Sequence, residues 1–321
     1  MFLVPDFKGF DFFPHGTRID FMRWKGICFG LSIVAMIVSL GLVAVKGLNY
    51  GVDFKGGSLI EVQSKSGPAD LTALRDKLGA LGLGDVQVQT IGAPTDVLIR
   101  IEEQPGGEKA QQETLNKVVA AIGSGYEQRR VEVVGPAVSS ELRMTGTIAV
   151  LASILAIIVY VWFRFEWQFA LGTVVALAHD VLVTVGVFSL FQMEFDLSIV
   201  AALLTILGYS VNDTVVVSDR IRENLRKYKK MEINELLNLS INETLSRTIL
   251  TGATTIAVLI ALYVFGGDVI HNFTFAMLFG VVVGTYSSIF VGAPLLGYLG
   301  VKRDWSDIAK DVKSGAAARK A

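Results

Sequence analysis

Charge and cysteine are scarce in this chain. Only 18% of its 321 residues are charged, and Cys28 is the one cysteine. A lone cysteine excludes an intrachain disulfide and a cysteine-based metal site. Three histidines, His15, His179 and His271, are too few and too scattered for a histidine metal cluster. No phosphate-loop spacing, nucleophile elbow or metal-ligand motif occurs. An enzyme is therefore not expected, nor a bound cofactor, metal or nucleic-acid partner. The net charge of −1 says little by itself. What the chain has in abundance is apolar side chains, 52% of the total. That balance points to a polytopic membrane protein.

Six apolar stretches are each near the ~20 residues that a bilayer core demands. They run from about Trp24 to Val45, Met144 to Phe163, Trp167 to Phe191, Leu197 to Ser218, Arg247 to Phe265 and Phe273 to Leu299. The first is preceded by some twenty mixed residues and followed by no clear cleavage site, so it reads as a retained anchor. Lys and Arg fall on one side: Lys8, Arg18 and Arg23 in the leader, Arg164, the run from Arg220 to Lys230, and Lys302 and Arg303. The opposite short loops, Gln192 to Asp196 and Gly266 to His271, have none. Both termini are therefore expected in the cytoplasm. The parts become 1–45, a leader and first span; 46–138, an extracytoplasmic domain; 139–300, spans two to six with a cytoplasmic loop at about 219–245; and 301–321, a basic tail.

Segment 46–138 reads as strand, helix, strand, strand, helix, strand. Ser58 to Gln63, Val86 with Val88, Val97 to Ile101 and Val131 with Val133 alternate at period two. Leu71, Leu74, Leu78 and Leu81, then Leu115, Val118, Val119 and Ile122, make helical stripes. The order is that of the α+β ferredoxin-like motif. The loop at 219–245 reads as one or two interfacial helices or as a solvated hairpin. Gly51, Gly56 and Gly57 suit a tight turn into the first strand. Gly280 and Gly284 form a GxxxG pair that permits close helix contact.

Asp213, beside Asn212, lies inside the fourth span. A carboxylate there costs roughly 2.5–3.5 kcal/mol to insert. It reads either as structural glue or as a titratable, proton-handling group. Arg247 opens the fifth span roughly 9 Å of helix rise from the level of Asp213 and is the natural counter-charge; it could equally snorkel to the interface. His179 and Asp180, midway along the third span, read as a proton relay or as a fixed clamp between helices.

The segments GVDFKGGSLIEV, ALAHDV, GYSVNDTVVVSDRIREN and LSRTILTG resemble SecF, the smaller subunit of the bacterial SecD–SecF accessory complex of the Sec preprotein translocase. The resemblance covers essentially the whole chain. It implies half of a resistance-nodulation-division fold, completed by a SecD-like subunit, in the bacterial inner membrane. It also implies a Sec channel and unfolded preproteins as partners, and the proton gradient as the energy source. The family's intramembrane aspartate maps onto Asp213, next to Asn212, and its arginine onto Arg247. Ser218 departs from the family's usual bulky aromatic, which implies altered packing there. The competing functions are a proton-coupled exporter half of the same superfamily and a non-motor scaffold.

Overall fold

The computed structural model describes residues 18–84, 86–267 and 270–301. Most of the basic leader, including Lys8 and His15, and the tail from Lys302 lie outside the described residues. Six helices are long and apolar enough to cross a membrane, and a small α/β region lies between the first two.

The first span is α1 (Lys25–Lys46), which leads through β1 (Asn49–Tyr50) and α2 (Val52–Lys55) into the α/β region. That region comprises β2 (Gly57–Ser64), α3 (Leu71–Gly79), β3 (Val86–Ile91), β4 (Ala93–Ile101), α4 (Gly107–Ile122) and β5 (Tyr126–Val134). The sheet order is β3-β4-β2-β5, with every neighbouring pair antiparallel. This is the split βαβ, ferredoxin-like arrangement. Period-two alternation sends Ile60, Val62, Val97, Ile99 and Ile101 to the face covered by Leu74, Leu78, Val118 and Ile122 of the two helices. The central strand β2 is also buried on its second face, where Leu59 meets Val52 and Leu98. Asp70 caps α3 by accepting from the Thr72 and Ala73 amides, each at 3.0 Å. Gly57 sits at φ +116°, and a Cβ there would overlap the Ile101 carbonyl. Only glycine lets β2 start so close to β4.

The later spans are α5 (Pro136–Arg164), α6 (Trp167–Phe191), α7 (Leu197–Lys227) and α8 (Ile233–Phe265). The sixth is α9 (His271–Ser287), one π turn (Ser288–Gly292) and α10 (Ala293–Tyr298). Pro136 at the helix start lets α5 begin immediately after β5, several residues ahead of the apolar stretch. The cytoplasmic loop anticipated at 219–245 is the continuation of two spans. α7 runs on to Lys227, and α8 restarts at Ile233, capped by Glu232 through the Asn234 and Glu235 amides. Leu225, Leu236, Leu237 and Ile241 are buried between these extensions, so the apolar stripe there faces a neighbouring helix rather than an interface. Asn224 seals the pair with bonds to Ser240 at 3.0 Å and Glu243 at 2.6 Å.

Some of the span contacts run through small residues. In α1 the buried residues are Ser32 and Ser39, while Leu31, Ile37 and Val38 are exposed. Lipid tails are as apolar as leucine, so helices meet through small residues instead. A Cβ on Gly186 of α6 would collide with Ser39, whose Cα lies 2.8 Å from that position. A Cβ on Gly280 of α9 would overlap the fully buried Ile206 side chain of α7. A Gly280→Val substitution is expected to destabilise the chain by about 1–3 kcal/mol, read as a lower unfolding midpoint in detergent.

Candidate functional site

Two carboxylates occupy the interior of the helix bundle. Asp180, on α6, is fully buried. Its Oδ1 lies 2.9 Å from Nδ1 of the buried His179. Its Oδ2 accepts from Ser210 of α7 at 2.5 Å and from Ser287 of α9 at 2.8 Å. Asp213 lies on α7, three residues after Ser210, and is half-buried. Its Oδ1 accepts from Thr248 of α8 at 2.6 Å, and its Oδ2 from Ser288 at the start of the π turn, also at 2.6 Å. Each carboxylate is therefore held by hydroxyls from two other helices. A lone carboxylate in a low-dielectric interior is costly, and converging donors offset that cost.

The structure brings together Asp213 with the helix that carries Arg247, and His179 with Asp180. It does not bring Arg247 onto Asp213. Among the described residues no ion pair joins them. Successive helix residues point about 100° apart. Thr248 takes the direction facing Asp213, and Arg247 leaves from the neighbouring face, exposed. Asn212 is exposed on the outer side of α7. Asp180 and Asp213 share no direct hydrogen bond; the adjacent serines of the sixth span touch one each. Ser287, Ser288 and Thr248 escaped the reading of the sequence. The signal for them was faint: consecutive hydroxyls in an otherwise apolar span, six residues ahead of Pro294.

A second polar set lies at the membrane end facing the α/β region. The α6–α7 connection carries β6 (Glu194–Phe195), which pairs in parallel with β1. Glu194 forms an ion pair with Arg100 of β4. Asp53 of α2 accepts from the Leu197 amide at 2.9 Å and so anchors the start of α7. Arg143 of α5 donates to the Phe54 carbonyl at 2.5 Å. A cavity of about 610 Å³ opens beside these contacts, lined among others by Glu61, Arg130, Glu132, Asp196 and His271.

The sequence matches the family model "Protein export membrane protein SecD/SecF, C-terminal" over residues 114–302 and the "SecD/SecF GG Motif" over 41–67. The chain belongs to the SecD/SecF family of protein export membrane proteins. It is 48% identical to the protein translocase subunit SecF of Rhodobacter capsulatus, across 91% of this chain and 92% of that one. It is 43% identical to the subunit SecDF of Brucella abortus, across 95% of this chain but only 40% of that protein. Among solved structures it is similar to the translocon-associated membrane protein SecDF of Thermus thermophilus, with TM-score 0.80 and 35% identity. That match covers 89% of this chain and 39% of the other. This SecD/SecF chain thus spans nearly all of a SecF relative and about two-fifths of a SecDF one. The glycine pair that names the shorter motif includes Gly57, whose backbone conformation and crowding account for it.

Burial raises the Glu194 carboxyl above its ordinary value of 4.5; Arg100 opposes this, while Asp196 and Asp53 add to it. An acid raised in this way binds its proton more tightly in the folded protein than in the unfolded chain. Its contribution to stability is full below 4.5 and is lost as pH rises through the raised value. Glu194→Gln is expected to flatten that part of the stability–pH profile, measured by thermal unfolding in detergent across the acid-to-neutral range.

Proposed function

We infer that this chain is a subunit of a bacterial protein-export machine, which couples the proton motive force to late steps of preprotein passage. The observation that carries this reading is the Asp213 site. A half-buried carboxyl is held by hydroxyls from α8 and the π turn, and among the described residues no ion pair ties it to Arg247. Such a group can gain or lose a proton without breaking a tight ion pair first. Proton uptake would come from the extracytoplasmic side and release would go to the cytoplasm. One charge crossing the membrane supplies about 2.3 kcal/mol per 100 mV, so several cycles would serve one substrate. No covalent chemistry is performed on it.

The fused relatives support a SecD-like partner half, which would cover the exposed Asn212 face of α7. A Sec channel and an unfolded preprotein complete the assembly. The basic residues of the α7–α8 hairpin support an inner-membrane orientation with both termini in the cytoplasm. A shift of α7 reaches the α/β region by two routes: the bond from the Leu197 amide to Asp53, and the Glu194–Arg100 pair. Asp213→Asn is expected to assemble normally yet to abolish the gain in export given by a proton gradient. Export assayed with and without the gradient checks this, and an unchanged gradient dependence would reject the reading.

A further inference from the structure

The two carboxylates of the bundle each accept from one of two adjacent serines, and each hydroxyl has a choice of acceptor. Ser287 Oγ lies 2.8 Å from Asp180 Oδ2 and 3.1 Å from the Gly284 carbonyl. Ser288 Oγ lies 2.6 Å from Asp213 Oδ2 and 3.0 Å from the Thr285 carbonyl. A serine has one hydrogen to donate. An ionised carboxylate only accepts, so it takes that hydrogen. A protonated carboxyl also donates. It can then give its own hydrogen to the serine oxygen, and the serine hydrogen turns to the helix carbonyl one turn back. The proton count balances: one proton enters the carboxyl, and the serine keeps its own.

The position makes this exchange consequential. Ser288 begins the π turn, the one break in the regular bonding of the sixth span, and π turns recur at functional sites. The Gly284 carbonyl accepts the Ser288 amide and also the Ser287 hydroxyl, so the two serines share one oxygen. A Cβ on Gly284 would lie 3.2 Å from Ser210 and 3.6 Å from Asp180 Oδ2, so α9 packs closely against α6 and α7 there. A change in donor direction at Ser288, which opens the wide turn, acts directly beside Ser287, the last residue of α9.

We propose that Ser287 and Ser288 are positioning residues that couple the protonation state of Asp213 to the hydrogen bonding of Asp180 through this pair of reversible hydroxyls. The proposal rests on Asp213 as the proton-carrying group. The other titratable groups around the pair are His179 on α6, Tyr209 on α7 and Tyr286 on α9, with the exposed Arg247 on the neighbouring face of α8; Tyr286 donates in turn to the Cys28 carbonyl of α1 at 2.8 Å.

The test is infrared difference spectroscopy of the full chain in lipid vesicles during a pH titration. The two carboxyl bands are assigned with Asp180→Asn and Asp213→Asn. In the native chain, titration of Asp213 is expected to displace the Asp180 band. In Ser287→Ala/Ser288→Ala the Asp180 band no longer moves with Asp213, and threonine at both positions restores the coupling. Ser288→Ala alone, which keeps the buried Ser287 contact, is expected to slow gradient-driven export about tenfold. Coupling that persists in the alanine variants overturns the role of the serines alone. An Asp213 band that never titrates overturns the functional reading with it.

Discussion

A carboxyl group inside a bilayer has no water to turn to. Every lone pair it carries must be met by the protein, or the group stays neutral. Asp180 and Asp213 answer this constraint with serine and threonine hydroxyls rather than with arginine. A hydroxyl costs little to hold inside a helix, because its hydrogen can rest on the carbonyl one turn back. It can then be lent to a neighbouring carboxylate and recovered. The choice sets where the helices stand: α6, α7, α8 and α9 are each within one side chain of a carboxylate.

The same economy governs the packing. The helices meet through Ser39 and Gly186, and through Ile206 and Gly280, where no larger side chain fits. Close backbones bring short hydroxyl side chains within reach of carboxylates on neighbouring helices. Without Gly284, Ser287 would not stand beside both Ser210 and Asp180. At the end facing the α/β region the demand is met differently: Arg100 with Glu194 forms a largely buried ion pair at the junction of sheet and spans.

The spans and strands were legible because they depend on periodicity and length, which a sequence states directly. Leu74, Leu78, Val97 and Ile99 face the core that their spacing implies. The placing of Asp213 within a long apolar helix was legible for the same reason. The azimuth of its neighbours was not. Arg247 and Thr248 differ by one residue in depth but by a large rotation about α8, and the packing of α8 on α7 decides which of them faces the carboxylate. The π turn was equally hidden, since Pro294 announces a disturbance without saying that Ser288 begins it. The hairpin extensions of α7 and α8 went unread because their basic residues mask the buried Leu225, Leu236 and Leu237.

The first span is tied down at both ends. At its start, Ile19 and Met22 bond to Asn242 and Asn238, and Lys25 to Asn234, all on α8. At its far end, Lys46 and Gly47 bond to Leu190 and Ser189 of α6. At ~1.5 Å per residue, its 22 residues form a strut roughly 33 Å long. Between these ends it also packs along α6, with Ser39 against Gly186. The oily helix with no charged residue between its end lysines thus ties the α7–α8 hairpin, α6 and the start of the α/β region to one another.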